Sequence, residues 1–569
     1  MDLVTESLLN SFVHQYGFSS EQDPAVQFEH FVNFCAVSAE YPEEFDVEDV
    51  HVGGGDDLQL DGVAIIVNGV LVGTNEEVDD LQHVNRYISA EFVLAQAKSG
   101  PGFDGAEISN VFFGIRDLFS SNPKLPRNAR LRQKEDVIKH IYTLSPNFRG
   151  GNPRLCIYYT TTGKWQDDQK LIARIDDEIG TLDDLNIFEP GIAFNPIDAR
   201  KLQNLYTQTQ NALSKTFAFQ NRITLPATNS AREAYLGYLN VKEYLQLITD
   251  DSGNLLRGLF YDNVRDFQGN NPVNHEIDET LKSDMKRSFL LLNNGVTIVA
   301  DDLSVTGDSF KLTSYQVVNG CQTSHVLYNN QNTIGDDVQV PVKLIVAPDD
   351  DVKLQVIKAT NRQTVVKTEE LSALTDFQKH LERYYAAVPE RFRLYYERRS
   401  QQYRSTPNLE KIRIVTISIQ IRAFASMFLQ RASQASRYYG TLLSDIESQI
   451  FREDHHPIAY YLSSYALFLV EAMLRRHEID NRYRPFKYHL LNAIRLVAAG
   501  PETPSMSANK FEKYCEVIRD ALWDETRGPE IVGEACSCLD IAVSGNYDRD
   551  FAKSTAITQL IADAVANSH

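Results

Sequence analysis

Positive charge is scarce where the chain begins. The first hundred of its 569 residues hold two fixed cations, Arg86 and Lys98, among many acids. Over the whole chain 77 Asp and Glu outweigh 56 Lys and Arg, a formal net charge of −21. Non-specific nucleic-acid binders draw most of their affinity from neutralised phosphates. A grip by bulk charge is therefore excluded, and any such contact needs a local basic strip or a trigger. Six cysteines (Cys35, Cys156, Cys321, Cys515, Cys536 and Cys538) are too few and too scattered for a disulfide scaffold, and no CxxC pair offers a structural zinc site. A reduced, cytoplasmic protein is expected. No apolar run suits a membrane span: residues 458–474 are interrupted by Ser463, Ser464 and Glu471, and read as a buried helix. Met1 to Glu6 is acidic and lacks the basic region of a signal peptide, so no membrane partner is expected. A Walker loop, an HExxH motif and Ser-His-Asp spacing are also missing.

What is present reads as several domains. The length exceeds one ordinary core, and 43% hydrophobic with 23% charged residues suits a globular chain. Helices are predicted up to about residue 35. Residues 61–73 read as a hairpin, with Val63 to Val67 and Val70 to Val72 flanking Asn68-Gly69, a strong two-residue turn signal. A short acidic helix or loop at 76–87, a strand at 91–98, an amphipathic helix at 104–120 and a buried strand at 154–162 follow. This order predicts an α/β domain over 1–170. A connecting segment at 171–228 holds helices at 167–180 and 197–214. Residues 229–408 read as an α+β domain and 409–569 as a helical region, with helices at 412–430, 438–450, 458–476, 488–498, 510–523 and 556–566.

Lys98 is the most informative residue. It closes the run Glu91 to Ala97, and strand side chains alternate faces, so Gln96 and Lys98 share one face. Asp61 opens a neighbouring strand. An acid and an amide oxygen can hold a hard cation, and an ammonium beside them can orient water or stabilise charge on a phosphate. This ordered set resembles the PD-(D/E)xK nuclease fold, in a variant with Gln96 in place of the second acid and Leu60 where the proline would be. The resemblance implies a restriction-endonuclease-like mixed sheet flanked by helices. It implies Mg2+ or Mn2+ as cofactor, with Asp61, Gln96 and Glu29 of the first helix as ligands, Gln96 through its amide oxygen. It makes Asp61, Gln96, Lys98 and Glu29 the catalytic set.

The middle of the chain carries a second set of motifs. Asn263-Val264-Arg265-Asp266-Phe267, Leu291 to Ile298, Gln316 to Ser324, Lys358 to Gln363 and Tyr395 to Arg399 occur in order. They resemble the AIPR family, named for abortive infection phage resistance, over residues 230–530. This resemblance implies bacterial anti-phage defence. Tyr315 to Val318 reads as a strand, Asn319-Gly320 as a turn and Cys321 onward as a helix. A helix N-terminus there would favour an anion, so Arg265, Asn294, Asn319, Gln322 and Asn361 are candidates for a nucleotide pocket. The other reading is a set of Asn and Gly turns bonded to backbone.

Two basic strips stand out against the acidic background. Lys124, Arg127, Arg130 and Arg132 follow the proposed active site, and arginines interleave with tyrosines from Arg391 to Arg404. Each suits nucleic-acid contact or a solvated helix face with arginine stems packed on rings. His455-His456 lies in a loop before Pro457 and is not expected to bind metal. The expected protein is a metal-dependent nuclease cleaving nucleic acid, with DNA the expected substrate, in phage defence. The AIPR region would serve recognition, assembly or control, with homo-oligomerisation and a nucleotide or phage-derived trigger as further partners. The alternative is a nucleotide-sensing regulatory protein whose nuclease fold is inactive.

Overall fold

The computed structural model describes the chain except residues 20, 211–212, 227–231, 251–252, 254, 261–271, 348–351, 354, 357–358, 360–375, 399–401, 404–405, 407–408, 436 and 569. The chain divides into two compact units. The first comprises residues 1–8, 28–73 and 81–370, and the second residues 9–27, 74–80 and 371–569.

The first unit holds two sheets. Helices α1 (Leu3–Gln15) and α2 (Pro24–Glu40) precede strands β1 (Gly62–Val67) and β2 (Val70–Val72), then α3 (Asn75–Asn85) and β3 (Ala90–Lys98). Asn68 and Gly69 both take positive φ, 50° and 76°, and join β1 to β2 as a tight antiparallel hairpin. β1 is buried at every position, which its run Gly-Val-Ala-Ile-Ile-Val anticipates. α4 (Gly105–Leu118), α5 (Ala129–Thr143) and β4 (Arg154–Thr161) follow. Asp104 caps α4 by accepting from the Ala106 and Glu107 N–H groups, and Ile108, Val111, Phe112, Ile115 and Leu118 form its buried stripe. The strand order is β2-β1-β3-β4-β5, antiparallel from β2 to β3 and parallel from β3 to β5. The fifth strand, β5 (Ala193–Ile197), lies between α6 (Gln169–Asp183) and α7 (Ala199–Gln210). It comes from the segment expected to be a connector. Pro196 masks its strand signal, but proline is tolerated at a sheet edge, and β5 is the edge.

The second sheet has the order β6-β10-β9-β11-β8-β7. Its strands are β6 (Ser214–Ala218), β7 (Asn221–Thr224), β8 (Glu233–Asn240), β9 (Val296–Thr306), β10 (Ser309–Asn319) and β11 (Gln339–Val346). It therefore begins before residue 229. Phe217, Phe219, Tyr235, Ile298, Phe310, Leu312, Val342 and Leu344 form its core, with Tyr244 and Leu247 from α8 (Val241–Ile248). α9 (Pro272–Lys282) and α10 (Phe289–Leu292) precede β9, and α11 (Cys321–Asn329) follows β10.

The second unit is helical, apart from a short parallel pair of Tyr395–Glu397 with Ile414–Thr416. The predicted helices appear as Ile417–Phe428, Tyr439–Ile446, Pro457–Arg475, Lys487–Ala499, Asn509–Trp523 and Ala556–Ser568. Asp376–Ala387 and Arg527–Val543 are additional; Pro529 falls in the first turn of the latter, where a missing N–H costs no helix bond. Pro457–Arg475 is the one described helix long and apolar enough to cross a membrane, but 78% of its apolar window is buried inside the protein. Tyr460 of that helix stacks on Phe424 with centroids 4.0 Å apart, as a core side chain would. Residues 74–80 pack with this unit through ion pairs of Glu76 with Lys553, Glu77 with Arg422 and Asp80 with Arg437.

Candidate metal centre

The antiparallel register of β1 and β3 builds the site. Gly62 pairs with Ala95, so Asp61 stands across from Gln96, and the Asp61 N–H donates to the Ala95 carbonyl at 2.9 Å. Asp61 Oδ2 accepts from the Ala97 N–H and from Gln96 Nε2, each at 2.7 Å. Asn33 of α2 donates to the Asp61 carbonyl at 2.8 Å. That contact fixes α2 against the strand, and Glu29, one turn earlier, is carried to the same side. A Cβ on Gly62 would lie 2.2 Å from Asn33 Oδ1, so glycine is required for the approach.

A second glycine leaves the space between the acids. The position of a Cβ on Gly53 is 2.7 Å from Glu29 Oε2, 3.0 Å from His51 Nε2 and 3.2 Å from Asp61 Oδ1. Asp61 is 6% exposed, and burial, followed by the Glu29 carboxylate and Asp57, pushes its carboxyl up to about 8. The Ala97 N–H and the Lys98 ammonium act in the opposite direction. Two acids thus compete for one buried position, and a cation between them would favour ionisation of both. The donor set is dominated by oxygen and suits a hard divalent ion. The loop leading into the site is unusual: Gly54, Gly55, Asp56, Leu58 and Gln59 all have positive φ. Strain of this kind in non-glycine residues gathers at functional sites. Asn128 pins the loop by donating to the Val52 and Gly55 carbonyls at 2.8 and 3.0 Å.

Asp61, Gln96 and Glu29 are therefore brought together, and Lys98, two residues beyond Gln96 on β3, acts on the Asp61 carboxyl through its charge. Gln96 differs from expectation in one respect. Its amide nitrogen faces Asp61 and also donates to the Ala97 carbonyl at 3.2 Å, while its buried Oε1 has no hydrogen-bond partner among the described residues. An N–H beside a carboxylate stands where positive charge is favoured, and a half-turn of the amide would present the oxygen instead. His51 was missed. It lies just outside the strands and before the glycines, with no periodic pattern to mark it.

The first basic strip is corrected in part. Arg127 is turned inward, with a side chain 6% exposed that pairs with Asp117 at 2.6 Å and Glu135 at 3.0 Å. Arg130 points to His51 and Glu48. Arg127 is thus withdrawn from an open phosphate strip, whereas the Arg130 side chain remains 41% exposed and Lys124 and Arg132 are exposed. In the second strip, Arg398 is buried against Glu382, Arg391 pairs with Glu525, and Arg399 and Arg404 lie outside the described residues. His455 meets the Tyr460 hydroxyl at 2.9 Å and belongs to no metal-competent cluster among the described residues.

Three of the five pocket candidates meet. Asn294, Asn319 and Gln322 line one cleft of about 390 Å3 with Asn293, Gly320 and Thr323. Gly320 caps α11 at φ 98°, and a Cβ there would come within 2.8 Å of Val296. Arg265 and Asn361 lie outside the described residues.

The chain thus pairs an α/β domain carrying a buried acid cluster with a second sheet and a helical region. The family model described as AIPR protein matches residues 260–527. That match supports the AIPR family for this part of the chain, in agreement with its motifs. No curated protein and no solved structure matches the chain.

Proposed function

We propose that the N-terminal domain is a metal-dependent nuclease of the PD-(D/E)xK type that cleaves DNA. The observation that carries this reading is the meeting of Asp61 at the start of β1, Gln96 near the end of β3 and Glu29 of α2, with the Asp61 carboxyl raised by burial and by Glu29 and lowered by the nearby Lys98. The strand order β2-β1-β3-β4, with α2 before it and α4 at the crossover, adds support. Asp61 and Glu29 would hold Mg2+ or Mn2+, and Gln96 would join them through its amide oxygen. Such an ion supplies Lewis-acid polarisation and an acidified water. Lys98, two residues beyond Gln96 on β3, would orient the attacking water or meet charge on the phosphate. On this reading the activity would serve cytoplasmic phage defence, a role the AIPR resemblance supports, and residues 260–527 would supply recognition, assembly or control. The test is Mg2+- or Mn2+-dependent cleavage of plasmid and RNA by purified protein, with Lys98→Ala and EDTA controls. Cleavage that survives both overturns the reading.

A second reading is favoured by the cleft at α11. Asn294, Asn319 and Gln322 surround a glycine-capped helix start that would suit a phosphate-bearing ligand. On this reading the chain is a nucleotide sensor with an inactive nuclease fold. Calorimetry with ATP, GTP and dNTPs, together with no cleavage under any metal, would favour it.

A further inference from the structure

His51 sits directly behind the proposed ligands. Its Nε2 lies 2.8 Å from Glu29 Oε2, and its Nδ1 lies 2.8 Å from Arg130 Nη1. A guanidinium carries only donors, so the Nδ1 facing it must be the acceptor. A doubly protonated ring would set N–H against N–H at that distance. The single proton of the neutral ring therefore sits on Nε2 and is donated to Glu29. Arg130 is braced from the far side by Glu48, with Nη2 at 3.3 Å from Oε2. His30 closes the ring edge-on, with centroids 4.5 Å apart, and Nε2 at 3.5 Å from Glu48 Oε1.

His30, Glu48 and His51 are close enough to share a cation. Arg130 already holds two of them, however, and supplies the positive charge that the cluster needs. The cluster reads better as a brace than as a second metal site. The brace ends on Glu29 Oε2, one of the three atoms around the Gly53 position.

We infer that Arg130 and His51 are positioning residues: Arg130 fixes the tautomer of His51, and His51 fixes the Glu29 carboxylate beside Asp61. The inference rests on the metal-site reading above and adds a claim about how the site is held. His51 stands behind the proposed ligands because its two ring nitrogens are already engaged, Nε2 by Glu29 and Nδ1 by Arg130. Partners of this kind, one step removed from a metal, typically change metal affinity or activity by about 10–100-fold when removed. They also exclude the wrong ion. If Arg130 were absent, the proton could move to Nδ1 and expose the Nε2 lone pair, and imidazole suits Zn2+ and Ni2+ better than Mg2+.

The experiment is calorimetric titration of the full-length protein with Mn2+, and separately with Zn2+. The set is wild type, Asp61→Asn, His51→Ala, His51→Gln and Arg130→Ala, each checked for unchanged circular dichroism. His51→Ala is expected to weaken Mn2+ binding by about tenfold or more. His51→Gln offers an oxygen to Arg130 and an N–H to Glu29, and is expected to stay within a few-fold of wild type. Arg130→Ala is expected to raise Zn2+ affinity relative to Mn2+. A His51→Gln variant as weak as His51→Ala would overturn the inference by making His51 a ligand. Mn2+ binding lost in Asp61→Asn but unchanged in His51→Ala would overturn the inference while sparing the metal site. A wild type that binds no Mn2+ would overturn both.

Discussion

Binding of a divalent cation near neutral pH should release a proton, and Asp61 is the group that should release it. Its ordinary value is 3.8, and burial with the adjacent Glu29 pushes it up to about 8. At pH 7 the metal-free carboxyl is therefore mostly protonated, while a carboxylate ligand must be ionised. Mn2+ binding should release roughly one proton per site at pH 6–7 and almost none near pH 9. Apparent Mn2+ affinity should rise about tenfold per pH unit between roughly pH 5 and 8 and then level off. The same shift sets the sign of the stability effect. Between 3.8 and about 8 the unfolded chain has lost this proton and the folded chain keeps it. Stability of the metal-free protein must then fall as pH rises, by up to about 1.4 kcal/mol per unit from this group. Asp61→Asn removes that component, so the difference between wild type and variant isolates it. The assay is titration calorimetry in two buffers of different ionisation enthalpy, with denaturant unfolding in EDTA at pH 5, 6, 7 and 8. Mn2+ binding to Asp61 without proton release at pH 7, or parallel stability slopes for wild type and Asp61→Asn, would refute the reasoning.

Asp61→Ala and Lys98→Ala should each abolish cleavage in a plasmid assay with the fold intact, while Gln96→Glu should keep or raise activity by adding a charge for the metal; a dead Gln96→Glu beside a live Gln96→Ala would reject Gln96 as a ligand. Gly53→Ala places a methyl between Glu29, His51 and Asp61, and should weaken Mn2+ binding about tenfold or more by calorimetry. Arg127→Ala leaves Asp117 and Glu135 without their buried guanidinium and should destabilise the domain by about 3–5 kcal/mol in denaturant unfolding. Arg132→Ala, on an exposed residue, should leave stability within about 0.5 kcal/mol and lower only nucleic-acid affinity, measured by filter binding at several salt concentrations.

The residues that the sequence makes legible are those whose relation is local. Gln96 and Lys98 share a face because strand parity requires it, and Asn68-Gly69 dictates a turn that returns β2 along β1. Asp61 follows from the same hairpin, since its strand must pair with a neighbour. The strand–glycine–helix sequence from Tyr315 to Tyr328 is readable for the same reason: each step is set by neighbours in the chain. Long apolar periods made six helices of the second unit visible, including the buried Pro457–Arg475.

Tertiary structure decided what each charge does. Arg127 and Arg130 look alike in a basic strip, yet one is buried between two acids and the other sets the tautomer of a histidine 79 positions earlier. A guanidinium takes whichever acceptors the fold brings to it, and nothing along the chain names them. His51 became part of the site only when α2, the Gly53 loop and α5 met beside Asp61. The raised Asp61 carboxyl has the same origin, because desolvation and the approach of Glu29 exist only once the helix is docked on the strand. The sequence by itself determined which groups could hold a cation. Packing determined their spacing, which of them are buried and which proton each one keeps, because these depend on distances between segments that are remote in the chain.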